Sequence, residues 1–142
     1  MTSAQQDAPA ATPATRLAAL RGNCMGAAVL LIVQFVLGVA VNLYITLPEH
    51  NSFWATVFGA ATLAAHAIVA LLLLAASISA LIRAIRSRRA IVLTSVGLAA
   101  ILAAGIAGAS FVSNQSNGAS LGMALATAVA MFCYLAAVFS LR

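Results

Sequence analysis

Four long apolar runs, at about 24–46, 55–82, 90–112 and 119–140, leave this chain few ways to fold. Each is long enough to cross a hydrocarbon core of roughly 30 Å, which takes about 20 helical residues. Lipid offers no water to satisfy backbone N–H and C=O groups, so each run must satisfy its own as a helix. The segments between the runs have loop chemistry. TLPEHNS carries a proline with amide and charged residues, RAIRSRR is basic, and SNQSNGAS is a polar Ser/Asn/Gly cluster. Ser52 or Asn51 is placed to cap the second helix, and Ser116 or Asn117 the fourth.

The expected fold class is therefore all-α, a four-transmembrane-helix bundle. Of the 142 residues 64% are hydrophobic and 6% charged, against about half and a quarter in soluble domains. Little chain remains for a soluble domain, so residues 16–142 are expected to form one membrane domain. Residues 1–15 are small, polar and Pro-containing, have nothing to bury, and are expected to be a disordered tail. The first apolar run exceeds a typical signal h-region in length, which favours an uncleaved helix.

Arginine placement gives an expected orientation. Arg16 and Arg21 precede the first run, Arg83, Arg86, Arg88 and Arg89 join the second to the third, and Arg142 follows the fourth. The other two loops hold no Lys or Arg. Positive residues favour the cytoplasmic side, which puts both termini and the middle loop in the cytoplasm of a multi-pass plasma or inner membrane protein. Tyr44, Phe53 and Trp54 then fall at the outer interface, where amphipathic rings are favoured. The net charge of +5 is explained by topology, because the arginines sit at helix ends rather than in a nucleic-acid-reading motif. The lipid bilayer is the expected partner and nucleic acid is not. The basic middle loop can also attract anionic lipid headgroups.

Polar residues inside the runs carry the functional signal. Gln34, Gly38 and Asn42 are spaced four apart and share one helix face. An amide facing lipid would be unpaired, whereas across a helix interface it gains a hydrogen bond of about 0.6–2 kcal/mol. The second run has a matching stripe of Gly59, Thr62, His66, Ala70 and Ser77. The third offers Gly97, Ala100, Ala104 and Gly108, and the fourth Gly118, Gly122, Ala126 and Ala130. Small residues at this spacing let backbones approach closely. One reading makes Gln34 and Asn42 glue between helices, with His66 hydrogen-bonded to Gln34 or Thr62.

His66 is the one ionisable side chain within a run, and such residues mark functional sites. It lies about 11 residues inside the outer end of its run, or ~16 Å at 1.5 Å per residue. The same depth on the other runs falls near Phe35, Ile101 and Met131. Gln34, His66 and Met131 are thus expected at one level, and His with Met is an axial pair for haem iron in a bundle.

The segment Gln34-x-x-Leu37-Gly38, followed by His66-x-x-x-Ala70 and Leu71 to Leu74, resembles one helical hairpin of the haem A synthase family. Members are built from four-helix halves whose membrane histidines ligate haem b. The resemblance implies His66 as a haem b ligand. It covers the first two runs; the second histidine of such a half and the family's acidic catalytic residue have no counterpart here.

Enzyme chemistry is disfavoured. Asp7 in the tail, Glu49 in a loop and two histidines are the only acid–base groups of the carboxylate and imidazole kinds. His50 beside Glu49 lacks the further ligands a zinc site needs, and Cys24 and Cys133 form no C-x-x-C pair. Two expectations remain. The first is a non-catalytic membrane subunit or assembly partner, working through helix packing with itself as a homo-oligomer or with a membrane complex. The alternative is a haem b-binding bundle for electron transfer or haem handling, with His66 as axial ligand.

Overall fold

The computed structural model describes residues 12–45, 53–114 and 116–142, and the side chains of all of these except 43–45, 53–59, 112 and 114. The expected interface rings of Tyr44, Phe53 and Trp54, the His50–Glu49 pair, the stripe position Gly59 and the Ser52 or Asn51 cap lie outside the described residues and side chains. Four helices form: α1 (Pro13–Ile45), α2 (Phe53–Ser87), α3 (Ile91–Asn114) and α4 (Asn117–Ser140).

α1 begins well before the apolar run, and its start is written in the stretch TPAT. Thr12 Oγ1 accepts from the Thr15 amide at 3.3 Å, and Thr12 O accepts from the Arg16 amide at 3.1 Å. A threonine cap followed by proline at the first helical position is a strong helix start, since proline lacks only an N–H that would be unpaired there. Residues 13–15, expected in the tail, are therefore helical.

α2 likewise runs past its apolar stretch through Arg83 and Arg86, so most of the expected basic loop is helix. Arginine is a good helix former, and its long stem lets the charge reach water from an apolar helix end. The helix closes with paired bonds, Arg88 N to Ile85 O at 3.2 Å and Arg89 N to Ala84 O at 3.1 Å. Arg88 takes a φ of 53° to allow them, at the position where glycine is usual. Ala90, at φ 54°, turns the chain into α3, and its carbonyl accepts from both the amide and the hydroxyl of Thr94 at 3.0 Å. Ser116 caps α4, with Oγ accepting from the Ala119 amide at 3.2 Å.

α1 packs against α2 and α4, and α3 packs against the same two, so the helices form a ring. Across the α1–α2 seam, Asn23 Nδ2 donates to Ser79 Oγ at 2.8 Å and Gln34 meets His66. The numbers rise on one helix as they fall on the other, so the two run antiparallel. This up-and-down course brings the arginines at the start of α1, the end of α2, the α2–α3 turn and the chain end to one end of the bundle.

Small side chains make up much of the buried interior, around a few large ones such as Tyr134, Leu20 and Leu31. Ala27, Ala28, Ala80, Ala84, Ala130, Ala137, Ser77 and Thr94 are buried. Val92, Ile106, Phe132 and Leu71, each 68–74% exposed, point outward. Small residues inside and large apolar ones outside are how helices pack when lipid surrounds them. Each helix is long and apolar enough to cross a membrane.

The interior has two halves. Toward the arginines it is solid: Leu20, Cys24, Ala80, Ala84, Tyr134 and Ala137 form one cluster from three helices. The Tyr134 ring lies so close to α3 that a Cβ on Gly97 would come within 2.8 Å of Cε2. Cys24 and Cys133 are buried free thiols in this half. The other half is hollow.

Candidate functional site

The hollow half contains a cavity of about 290 Å³ walled by all four helices. Leu31, Leu73 and Ile101 belong both to the solid cluster and to the wall, and so make the cavity's floor. The wall is chiefly aliphatic, with Gly and Ala on α3, and its polar members are Gln34, Asn42, His66, Ser120 and Thr127. Thr127 turns its hydroxyl back to the Met123 carbonyl at 2.8 Å, the usual way a hydroxyl is satisfied inside an apolar helix.

The stripe of Gln34 and Gly38 on α1 meets His66 on α2, as the spacing predicts. The Gln34 amide nitrogen donates to His66 Nε2 at 3.0 Å, which places the ring proton on Nδ1. Gly38 makes room for the ring: a Cβ there would lie 3.3 Å from His66 Cε1 and 3.8 Å from Nδ1. His66 Nδ1 and Gln34 Oε1 are buried and find no hydrogen-bond partner among the described residues. With the amide turned over, the ring would donate from Nε2 to Oε1 instead, and Nδ1 would become the unpaired acceptor. In either arrangement one donor and one acceptor of the pair stay unmatched beside the cavity.

Met131 does not join this group. It packs, partly buried, against the solid cluster and does not line the cavity. The methionine at the level of His66 is Met123, whose Cε lies 4.0 Å from a Cβ built on Gly38 and whose Sδ lies 3.4 Å from one built on Gly108. Depth counted from helix ends misses it because the ends are not flush. α2 begins 13 residues before His66, whereas α4 begins only six before Met123.

Haem iron needs a ring nitrogen whose lone pair is open to it. Here Nε2 is engaged by Gln34 and Nδ1 is buried beside Gly38. The residues as placed do not fit haem b, and His66 and Met131 are not assembled as an axial pair. Among the described residues no group of three His, Cys, Asp or Glu side chains could hold a metal ion. Among the described residues the cavity wall holds no Lys, Arg, Asp or Glu, and His66 is its one basic side chain.

Sequence reasoning could have found Met123 and Gly108 through their shared register with Gly38, but only with the relative depths of the helices in hand. No family model, curated protein or solved structure matches the chain.

Proposed function

We propose that this chain is an integral membrane protein, arginine end in the cytoplasm, that holds a small uncharged lipid-soluble molecule inside its bundle, as a binding protein rather than a catalyst. The observation that carries this reading is the His66–Gln34 pair on the wall of a chiefly apolar cavity, with one donor and one acceptor unmatched among the described residues. An unmatched buried polar group costs about 1–3 kcal/mol, and a ligand that both donates and accepts recovers that for two groups once the pair turns its buried Nδ1 and Oε1 from the helix seam toward the cavity. Apolar pockets with a few convergent polar groups are the common form of small-molecule sites, and they occur between the helices of bundles. The size suits a substituted ring, since an apolar cavity of about 150 Å³ takes benzene. Phenols, quinols and medium-chain alcohols have the required chemistry.

The test uses the full chain in detergent, labelled with ¹⁵N at its two histidines, and titrated with para-ethylphenol or ethylbenzene. Para-ethylphenol is expected to shift the His66 ring nitrogens saturably while His50 stays still, and ethylbenzene to bind more weakly. Ala104→Leu, which fills the cavity wall, should remove both responses. If neither compound moves His66, the reading fails. A b-type band in the visible spectrum that His66→Ala abolishes would replace it with haem binding.

A second reading, action through helix packing, is favoured by Gly22 and Gly26. They lie four apart on the exposed face of α1, with no atom of the described residues packed within 4 Å of a Cβ built on either. Such pairs let two membrane helices meet closely, and the partner proposed is a second copy of this chain. Gly26→Leu should convert a detergent-stable dimer to monomer in analytical ultracentrifugation; a wild-type protein that is monomeric throughout rejects this.

A further inference from the structure

At the arginine end, an open groove of about 840 Å³ runs along α2 and is closed on one side by the start of α1. Arg16 of α1 and Arg83 and Arg86 of α2 line it together. Its deeper part is apolar, formed by Ala75, Ile78 and Ile82. From Ser87 to Ala75 the wall extends about 18 Å along the helix axis at 1.5 Å per residue, from the helix end well into the depth of an apolar span. The Asn23–Ser79 hydrogen bond ties the two helices beside it.

We infer that this groove binds one anionic phospholipid, its phosphate among the three guanidinium groups and an acyl chain along Ile82, Ile78 and Ala75. Charge and shape both lead there. The sequence has seven arginines and two acids, Asp7 and Glu49, neither among the described residues. The three arginines therefore line one groove with no acidic side chain of the described chain beside them. Arginine forks match phosphate oxygens geometrically, and basic pockets between membrane helices on the cytoplasmic side are suited to phospholipid headgroups. A free phosphate would use the arginines but leave the apolar length of the groove uncovered, and a lipid uses both.

Topology alone treats all cytoplasmic arginines as equivalent, whereas a site does not. Arg88 and Arg89 belong to the same basic segment and line no part of the groove. Two double variants of equal charge therefore separate the ideas: R83Q with R86Q, and R88Q with R89Q. Each is purified as the full chain in neutral detergent. Phosphatidylglycerol, phosphatidylcholine or inorganic phosphate is added, and retained molecules are counted by native mass spectrometry. Circular dichroism confirms that both variants remain helical.

Wild type and the Arg88/Arg89 variant should retain one phosphatidylglycerol over phosphatidylcholine by about tenfold, and the Arg83/Arg86 variant should lose that preference. R83K with R86K, which keeps charge and fold, should retain only part of it. Equal loss in both glutamine variants would reduce the effect to bulk charge and overturn the site. So would a wild type without preference, or complete displacement of the lipid by millimolar phosphate, which would make free phosphate the ligand. Should the Arg83/Arg86 variant fail to fold, Arg16→Gln, on the other helix, carries the same expectation.

Discussion

A glycine's role here is decided by what its missing Cβ would meet. At Gly97 that atom would sit 2.8 Å from the fully buried ring of Tyr134. Gly97→Ala is expected to destabilise the bundle by about 1–3 kcal/mol through overpacking, measured by reversible unfolding in mixed micelles. At Gly105 no atom of the described residues packs within 4 Å of a built Cβ, so Gly105→Ala should be neutral or stabilise by up to ~1 kcal/mol through helix propensity. The same titration applied to His66 and Gln34 tests their pairing. His66→Leu and Gln34→Leu each strand a buried partner, at about 1–3 kcal/mol. The double variant should be less destabilised than the sum of the singles, by roughly 0.5–3 kcal/mol of coupling. Additive losses would show that the hydrogen bond contributes nothing. The pair was legible from sequence as one of two alternatives, Gln34 or Thr62, because stripes of spacing four and one histidine within the apolar runs leave few partners. The Gly97–Tyr134 contact was not: a tyrosine among apolar residues carries no spacing signal, and its neighbour is fixed only by how α3 and α4 meet.

The helices show where apolar runs are good guides and where local chemistry takes over. Existence, number and order followed from hydropathy, and of the two expected caps of α4, Ser116 and Asn117, the serine is the one used. Ser116→Ala should lower stability by about 0.5–2 kcal/mol. The early start of α1 and the long end of α2 were hidden because both lie in polar or charged sequence, where the Thr12–Pro13 cap and the helix-forming arginines decide. The depth comparison failed at the opposite end, where α2 begins 13 residues before His66 and α4 only six before Met123, so that Met123 rather than Met131 stands level with His66. The α2–α3 turn holds a conflict between local geometry and charge. Arg88 occupies a left-handed position that costs a non-glycine residue about 1–2 kcal/mol. Arg88→Gly is thus expected to stabilise the purified protein by up to ~1 kcal/mol, read as a higher unfolding midpoint. An unchanged or lower midpoint would mean that the arginine itself contributes to the turn.

The molecule as a whole joins a solid half at the arginine end to a hollow half at the other, both made by the same four helices. The floor of Leu31, Leu73 and Ile101 is the boundary. Below it small residues bring the helices together; above it the polar pair and the glycines of α1 and α3 leave space. Proteins open locally where buried contacts are fewest, so the division implies a sequence of events in time. Amides of 34–42 and 104–111 should exchange with deuterium before those of 24–31 and 130–138. An amphiphile that fills the hollow half should slow the first set and leave the second alone. Fastened at its root and loose at its crown, the bundle is expected to breathe from the end away from the arginines.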